Sequence, residues 1–383
     1  MSLLRRIGVF LLTCIFLGGV MSGPAVAVPA PLEVRSASAI LIDARTGQIL
    51  YEKNAHEKRP IASVTKLMTL LLAFEAIEAG NLALEDRITA SERAYRLGGT
   101  TIFLEIGEEM TAKDILTGIA VGSGNDASVA IAEHLAGTVE KFVEMMNARA
   151  QTLGMKETHF ANPHGLDDPD NYSSAYDLAL LSQQATRHPG LLELTSIYLT
   201  YLRGGKTMLA NFNKLVRFYN GADGLKTGHT DKAGYCIAVT AQREDSRFIA
   251  ILLGAPDAKT RQNEVTTLLN YAFANYESVP IIKEGKIITP MKVLRGEKET
   301  VDIVAKEDLA VTLPKGEKLQ LQQSIHLPEK VNAPLTKGAK IGELVLTKAG
   351  KEIARVDLVA GEEVKATGIL VTIWKVFLDF WRR

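Results

Sequence analysis

The sequence predicts an α+β fold in which one antiparallel sheet is flanked by helices, followed by a C-terminal all-β domain and a terminal amphipathic helix. Three observations predict it. A hairpin pattern near the N-terminus is separated from a later group of strands by a run of helical periodicity, which places helices on the faces of one sheet. After about Tyr276 the composition shifts to short strands punctuated by Gly and Pro. The last residues, 367–383, are apolar except for a single polar stripe.

The chain of 383 residues begins with Arg5 and Arg6, an apolar run from Ile7 to Val20, and Pro24-Ala25-Val26-Ala27 with small residues at a cleavage site. This is the pattern of a secretory signal peptide over 1–27. A membrane-spanning anchor is the other reading, but the run is short of the roughly 20 apolar residues a span needs. Cleavage after Ala27 removes Cys14 and leaves Cys236 as the only cysteine. An exported chain with one cysteine has no internal disulfide and must be held by its core. Cys236 lies in the apolar run Tyr235–Val239 and is expected to be a buried, inert thiol.

In the catalytic region, taken as 33–276, Ala39–Asp43, a turn at Arg45-Thr46-Gly47 and Ile49–Tyr51 read as a hairpin. Leu67, Leu70, Leu71, Phe74 and Ile77 recur at helical spacing until Gly80, which places Ser63 at a helix N-terminus. Further helices are expected at about 112–121, 126–136, 138–153 and 175–187. The character then turns to β, with Tyr198–Leu202, a Gly204-Gly205 turn, and strands near 224–228, 235–242 and 247–253. A helix over roughly 261–275 closes the region.

Residues 277–366 read as a small all-β domain, with strands such as Leu309–Leu313 ending at Pro314 and Gly316, and no cluster of His, Asp or Glu that suggests chemistry. In 367–383 the polar residues Thr372, Lys375, Asp379 and Arg382 fall on one stripe, and both tryptophans of the chain, Trp374 and Trp381, are here. Such a helix suits the membrane interface, with Trp at headgroup level and Arg382 and Arg383 reaching out. Docking of its apolar face on the β domain is the alternative. Lys plus Arg and Asp plus Glu both number 44, so no basic excess points to nucleic acid.

Three short motifs carry the chemistry: Ser63-Val64-Thr65-Lys66, Ser123-Gly124-Asn125 and Lys226-Thr227-Gly228. Each alone is weak, since a Ser-x-x-Lys or a Ser-x-Asn arises by chance roughly once in a chain of this length. Alone, Ser63 is an N-cap, the second motif an inter-helix turn and the third a strand end. Together they supply the parts that open an amide through an acyl-serine. A helix stacks residues i and i+3 on one face, so Lys66 can take the Ser63 proton if burial and a second cation, Lys226, lower its pKa. The backbone N–H groups of Ser63 and His229 can receive an oxyanion, and Gly228 leaves room for substrate along the strand. Ser123 can relay a proton to the leaving amine, and Asn125 can pair with a substrate amide. His159, His164, Asp167 and Asp168 form no His-Glu-x-x-His pattern, so no metal is expected. No Gly-x-Ser-x-Gly elbow indicates a triad with histidine.

With Ala62–Lys66, Ser123-Gly124-Asn125-Asp126, Asn162-Pro163-His164-Gly165-Leu166, Lys226–Thr230 and Ala233-Gly234-Tyr235, the chain resembles the low-molecular-mass penicillin-binding proteins that are D-alanyl-D-alanine carboxypeptidases. The resemblance implies a penicillin-binding/β-lactamase-like catalytic fold and no cofactor. It implies that Ser63 is acylated by the penultimate D-alanine of a peptidoglycan stem peptide or by a β-lactam antibiotic, with Lys66 as base, Ser123 and Lys226 as relay and electrostatic partners, and Asn125 as a substrate contact. It also carries over Arg261 and Thr227 as the fork for the terminal carboxylate. The expected place of work is outside the cytoplasmic membrane, on its outer face, with 367–383 as a peripheral anchor. A serine β-lactamase shares the three motifs, but no Glu-x-x-Leu-Asn stretch lies between Ser123 and Lys226. An endopeptidase or transpeptidase, and a non-catalytic binding or envelope-shape protein, are the other readings.

Overall fold

A computed structural model describes residues 32–368. The expected signal peptide and all but the first two residues of the expected terminal helix lie outside the described residues. From Val34 onward the centre is a five-stranded antiparallel sheet, in the order Ile49–Lys53, Ser38–Asp43, Ser246–Ala255, Gly234–Arg243, Ala222–Thr230. Ile40 lies opposite Ile251, and Lys226 opposite Ala238.

The strand Ser38–Asp43 is buried along its whole length because helices cover both faces of the sheet. Ile40, Ile42, Ile249 and Ile251 belong to one large core with Leu178 and Leu181 of the helix Ala175–Ala185. The alternate residues point the other way, where Phe248 meets Phe273 of the helix Ala258–Asn275 edge to face, ring centres 4.9 Å apart.

Most helices start on side-chain caps. Thr111, Thr138, Ser174 and Asp257 each accept a hydrogen bond from the N–H three residues on. The Asp257 cap starts the last helix at Ala258, ahead of the start near 261 that periodicity suggests, because its first turn is polar and carries no apolar signal. Four α-helices among the described residues have no side-chain cap, Lys66–Glu78, Asn125–Ala136, Pro189–Thr195 and Leu215–Phe218, and the first two of these begin at motif residues. Ser63 itself lies in a 3₁₀ turn, Ala62–Thr65, and the α-helix begins only at Lys66.

Beyond the helix Ala258–Asn275 the chain enters the strand Tyr276–Ile282, which pairs with Leu309–Pro314. A six-stranded sheet follows, in the order Leu321–His326, Lys340–Lys348, Lys351–Ala360, Thr300–Ala305, Ile287–Leu294, Lys330–Asn332. Its core of Val293, Val301, Ile303, Leu344, Val356 and Leu358 is separate from the large helical core. The junction is polar: Thr46 Oγ1 meets Thr312 Oγ1 at 2.6 Å, and Ser278 N–H donates to Ser246 Oγ at 2.9 Å.

Candidate active site

The three motifs converge although they sit on unlike elements. Ser63 and Lys66 come from the 3₁₀ turn and the helix it feeds, Ser123 from the break before Asn125–Ala136, and Lys226–Gly228 from the edge strand of the sheet. Ser63, Ser123, Thr227, Gly228, His229 and Arg261 line one cleft of about 530 Å³.

Lys66 is fully buried and its Nζ lies within hydrogen-bond distance of three oxygens: Ser63 Oγ at 2.9 Å, Asn125 Oδ1 at 2.6 Å and the His164 carbonyl at 2.5 Å. Its pKa is held well below the usual lysine range, by burial first and by the Lys226 cation second, with Asp126 opposing. Such a lysine is prepared to act as a base next to a hydroxyl. Lys226, also buried, is lowered to about 7 by burial and then by Arg261, and its Nζ donates to the Thr227 carbonyl at 3.0 Å.

Backbone strain concentrates at these positions. Ala62 (φ +48°), one residue before the nucleophile, and Ser123 (φ +58°) are both left-handed without being glycine, a conformation that costs of order 1 kcal/mol or more unless its surroundings enforce it. For Ala62 the enforcing neighbours are two glycines. A Cβ on Gly165 (φ +84°) would lie 2.0 Å from the Ala62 carbonyl oxygen, and one on Gly228 would lie 2.7 Å from Ile61 O and 2.9 Å from Ser63 N. Gly228 borders the cleft, and it has a second structural reason to be glycine: its bare face seats the strand against the turn that carries Ser63.

At the far side of the cleft Arg261 donates from Nη1 to the Cys236 carbonyl at 3.4 Å, lies 5.8 Å from the Tyr235 ring centre, and forms no ion pair among the described residues. Its Nε is buried with no hydrogen-bond partner among the described residues. A guanidinium so placed is available to an incoming carboxylate. Cys236 is buried and its thiol is pushed up to about 11 by burial, which leaves it inert.

Several groups escaped sequence reasoning. His164 contributes its carbonyl to Lys66 while burial, Lys66 and Arg93 lower its ring to about 3, which keeps the imidazole neutral. The loop holding it is fixed by Asn162, whose Oδ1 accepts from Gly165 N–H at 2.6 Å, and by Thr69, whose hydroxyl donates to the Pro163 carbonyl at 2.7 Å. Tyr198, Asn211, Phe212 and Lys214 form another wall. The Asn162–Leu166 stretch was visible as a motif but its role was not, because Lys66 and His164 are 98 residues apart. His159 faces away to the Asp170 carbonyl, at 2.6 Å.

Comparison with known proteins follows the two-part architecture. Residues 25–257 match the family described as D-alanyl-D-alanine carboxypeptidase, and residues 276–366 match the C-terminal domain of penicillin-binding protein 5. The chain is 40% identical over 347 residues to the D-alanyl-D-alanine carboxypeptidase DacF of Bacillus subtilis, covering 90% of this chain and 89% of that protein. It is similar in structure to penicillin-binding protein 5 of Haemophilus influenzae, with a TM-score of 0.77 and 34% identity, covering 88% of this chain and 99% of the other. Penicillin-binding protein D2 of Listeria monocytogenes, solved in an ampicillin-bound form, has a TM-score of 0.59 at 33% identity, covering 64% of this chain and 99% of its own.

Proposed function

The chain belongs to the D-alanyl-D-alanine carboxypeptidase family of low-molecular-mass penicillin-binding proteins, and we propose that it removes the C-terminal D-alanine from peptidoglycan stem pentapeptides through an acyl-Ser63 intermediate. The observation that carries this reading is a fully buried lysine, Lys66, with its pKa lowered and its Nζ 2.9 Å from the Ser63 hydroxyl.

Ser63 Oγ attacks the carbonyl of the penultimate D-alanine while neutral Lys66 takes its proton. The N–H groups of Ser63 and His229 receive the oxyanion. Ser123 and Lys226 pass a proton to the amine of the terminal D-alanine, which leaves as the C–N bond breaks and the Ser63 ester forms. Arg261 with Thr227 holds the terminal carboxylate, and Asn125, whose Oδ1 faces Lys66 and whose Nδ2 donates one hydrogen to Gly98, has its second Nδ2 hydrogen left for the peptide. Water then cleaves the ester and restores Ser63. A β-lactam follows the first half of this course: the C–N bond of its four-membered ring breaks, the ring opens, and the leaving amine stays tethered to the acyl group on Ser63. No carboxylate lines the cleft among the described residues, which supports a peptidase over a glutamate-dependent β-lactamase.

The signal-like N-terminus and the tryptophan-bearing stripe of 367–383 support export and peripheral attachment to the outer face of the cytoplasmic membrane. Among the described residues no helix is long and apolar enough to cross a membrane. Truncation after Ala366 is expected to move the protein into the soluble fraction, and retention on membranes points to an uncleaved signal or to binding by the β domain.

The function is tested by mixing the purified chain with a fluorescent penicillin and with diacetyl-Lys-D-Ala-D-Ala. Covalent label and released D-alanine are expected, and Ser63→Ala abolishes both. Absence of both from the unaltered chain sinks the reading, and label lost within seconds favours a β-lactamase.

A further inference from the structure

The residue after Ser123-Gly124-Asn125 is Asp126, which is 1% exposed and has no cation in an ion pair among the described residues. Its carboxylate instead collects backbone N–H groups: both oxygens lie 3.0 Å from Ile102 N, and one takes Leu104 N at 3.0 Å and the other Ala127 N at 2.8 Å. The same short loop is gripped from its other side. Arg203, itself paired to both oxygens of Glu108 at 2.6 and 2.9 Å, donates to the carbonyls of Ile102 at 2.9 Å and Phe103 at 3.0 Å. Asn125 completes the grip, its N–H donating to Thr100 O and its Nδ2 to Gly98 O, each at 2.8 Å.

Those contacts orient the Asn125 amide. With Nδ2 committed to Gly98, Oδ1 is left facing Lys66 Nζ at 2.6 Å. Gly99 (φ +77°) lies so close that a Cβ there would be 2.8 Å from Asn125 Nδ2, so a side chain at this position would push the amide out of place. Thr100 of the loop lines the cleft.

We propose that Asp126, with Arg203 on the opposite side of the same loop, is a positioning residue for acylation: it fixes residues 98–104 as the wall that orients Asn125 and, through Asn125, the Nζ of Lys66. The inference rests on the roles of Ser63 and Lys66 given above. Asp126 differs from Arg203 in one respect, since its negative charge also reaches Lys66. The groups that bear on Lys66 are Lys226 from the edge strand, which lowers its pKa, Asp126 from the helix Asn125–Ala136, which raises it, and the neutral ring of His164 from the loop after Phe160. Removal of the Asp126 charge therefore makes neutral Lys66 available at lower pH, while removal of Arg203 loosens the same loop without that effect.

The test compares the full chain with Asp126→Asn and Arg203→Met on diacetyl-Lys-D-Ala-D-Ala as a function of pH, with melting curves alongside. Both variants are expected to lose about 10- to 100-fold in kcat/KM, mainly in kcat, as a displaced catalytic group does. Asp126→Asn alone is expected to move the acid limb of the profile to lower pH. A folded Asp126→Asn with unchanged kcat/KM overturns the inference, as does a loss of activity with the acid limb in place, which marks a structural role only. If Asp126→Asn does not fold, Arg203→Met decides: wild-type kcat overturns the inference, and a drop in kcat at unchanged KM upholds the loop's positioning role. An unaltered chain that releases no D-alanine overturns the reading of the site and this inference with it, whereas an active chain with unmoved variants overturns the inference alone.

Discussion

Lys66 Nζ lies 2.9 Å from Ser63 Oγ at a point that solvent does not reach, with Asn125 and the His164 carbonyl taking its other hydrogen-bond directions. The amine is therefore aimed as well as activated. A lysine on an exposed helix face at the same i, i+3 spacing would have the reach but would be protonated and useless as a base.

Lys66→Met tests this directly, because it keeps the bulk of the side chain and removes the amine that takes the proton. Acylation by fluorescent penicillin is expected to slow about 10²- to 10⁴-fold, the usual worth of a positioned base, with a cooperative melt retained. A variant that labels at the wild-type rate assigns the proton transfer to another group.

Lys226 links pH to stability. Burial, and then the Arg261 cation, lower its pKa from the ordinary 10.5 to about 7, so between those values the unfolded chain holds the extra proton. Stability therefore rises with pH across that window, and the cost of burying the lysine is fully present below about 7. Lys226→Met is expected to gain stability by about 2–4 kcal/mol at pH 7, a gain that shrinks toward pH 10, while losing activity. Melting curves at the two pH values check it, and a gain independent of pH refutes the assignment.

Arg261 is expected to select for a free terminal carboxylate. Arg261→Gln should lower kcat/KM on diacetyl-Lys-D-Ala-D-Ala by about 10- to 100-fold, the worth of a charge-assisted hydrogen bond. The same peptide ending in an amide should be a poor substrate for the wild type and lose little more in the variant. Equal losses on both peptides would mean that Arg261 supports the fold rather than the carboxylate.

Gly165 is expected to tolerate no side chain. In Gly165→Ala the new Cβ would meet the Ala62 carbonyl at 2.0 Å while the backbone holds φ at +84°. The turn that presents Ser63 must move, so penicillin labelling should fall at least tenfold and stability should drop by about 2 kcal/mol or more. Labelling and melting at wild-type values would show that the turn has slack.

Much of the fold was legible in the sequence where hydrophobic period and turn residues agree. The first hairpin, the helix Lys66–Glu78 ending at left-handed Gly80, and the helices beginning at 112, 125, 139 and 175 all stand close to where the pattern puts them. The short pairings Arg87–Thr89 with Glu109–Thr111 and Arg59–Pro60 with Tyr172–Ser173 were not legible, since strands of two or three residues carry no period to read.

By itself the sequence determined the chemical inventory: a hydroxyl with an amine one turn away, a second hydroxyl with an amide, a lysine beside a glycine, and a distant arginine. Spacing along a helix is local, so the Ser63–Lys66 pair could be read from the chain alone. The tertiary structure decided which state those groups are in. Only long-range packing buries Lys66 against Lys226 and His164, turns the face of Gly228 toward the Ser63 turn, and clips the loop at 98–104 between Asp126 and Arg203. A pKa depends on the dielectric and the charges within a few ångströms, and those neighbours come from segments some 60 to 160 residues away along the chain.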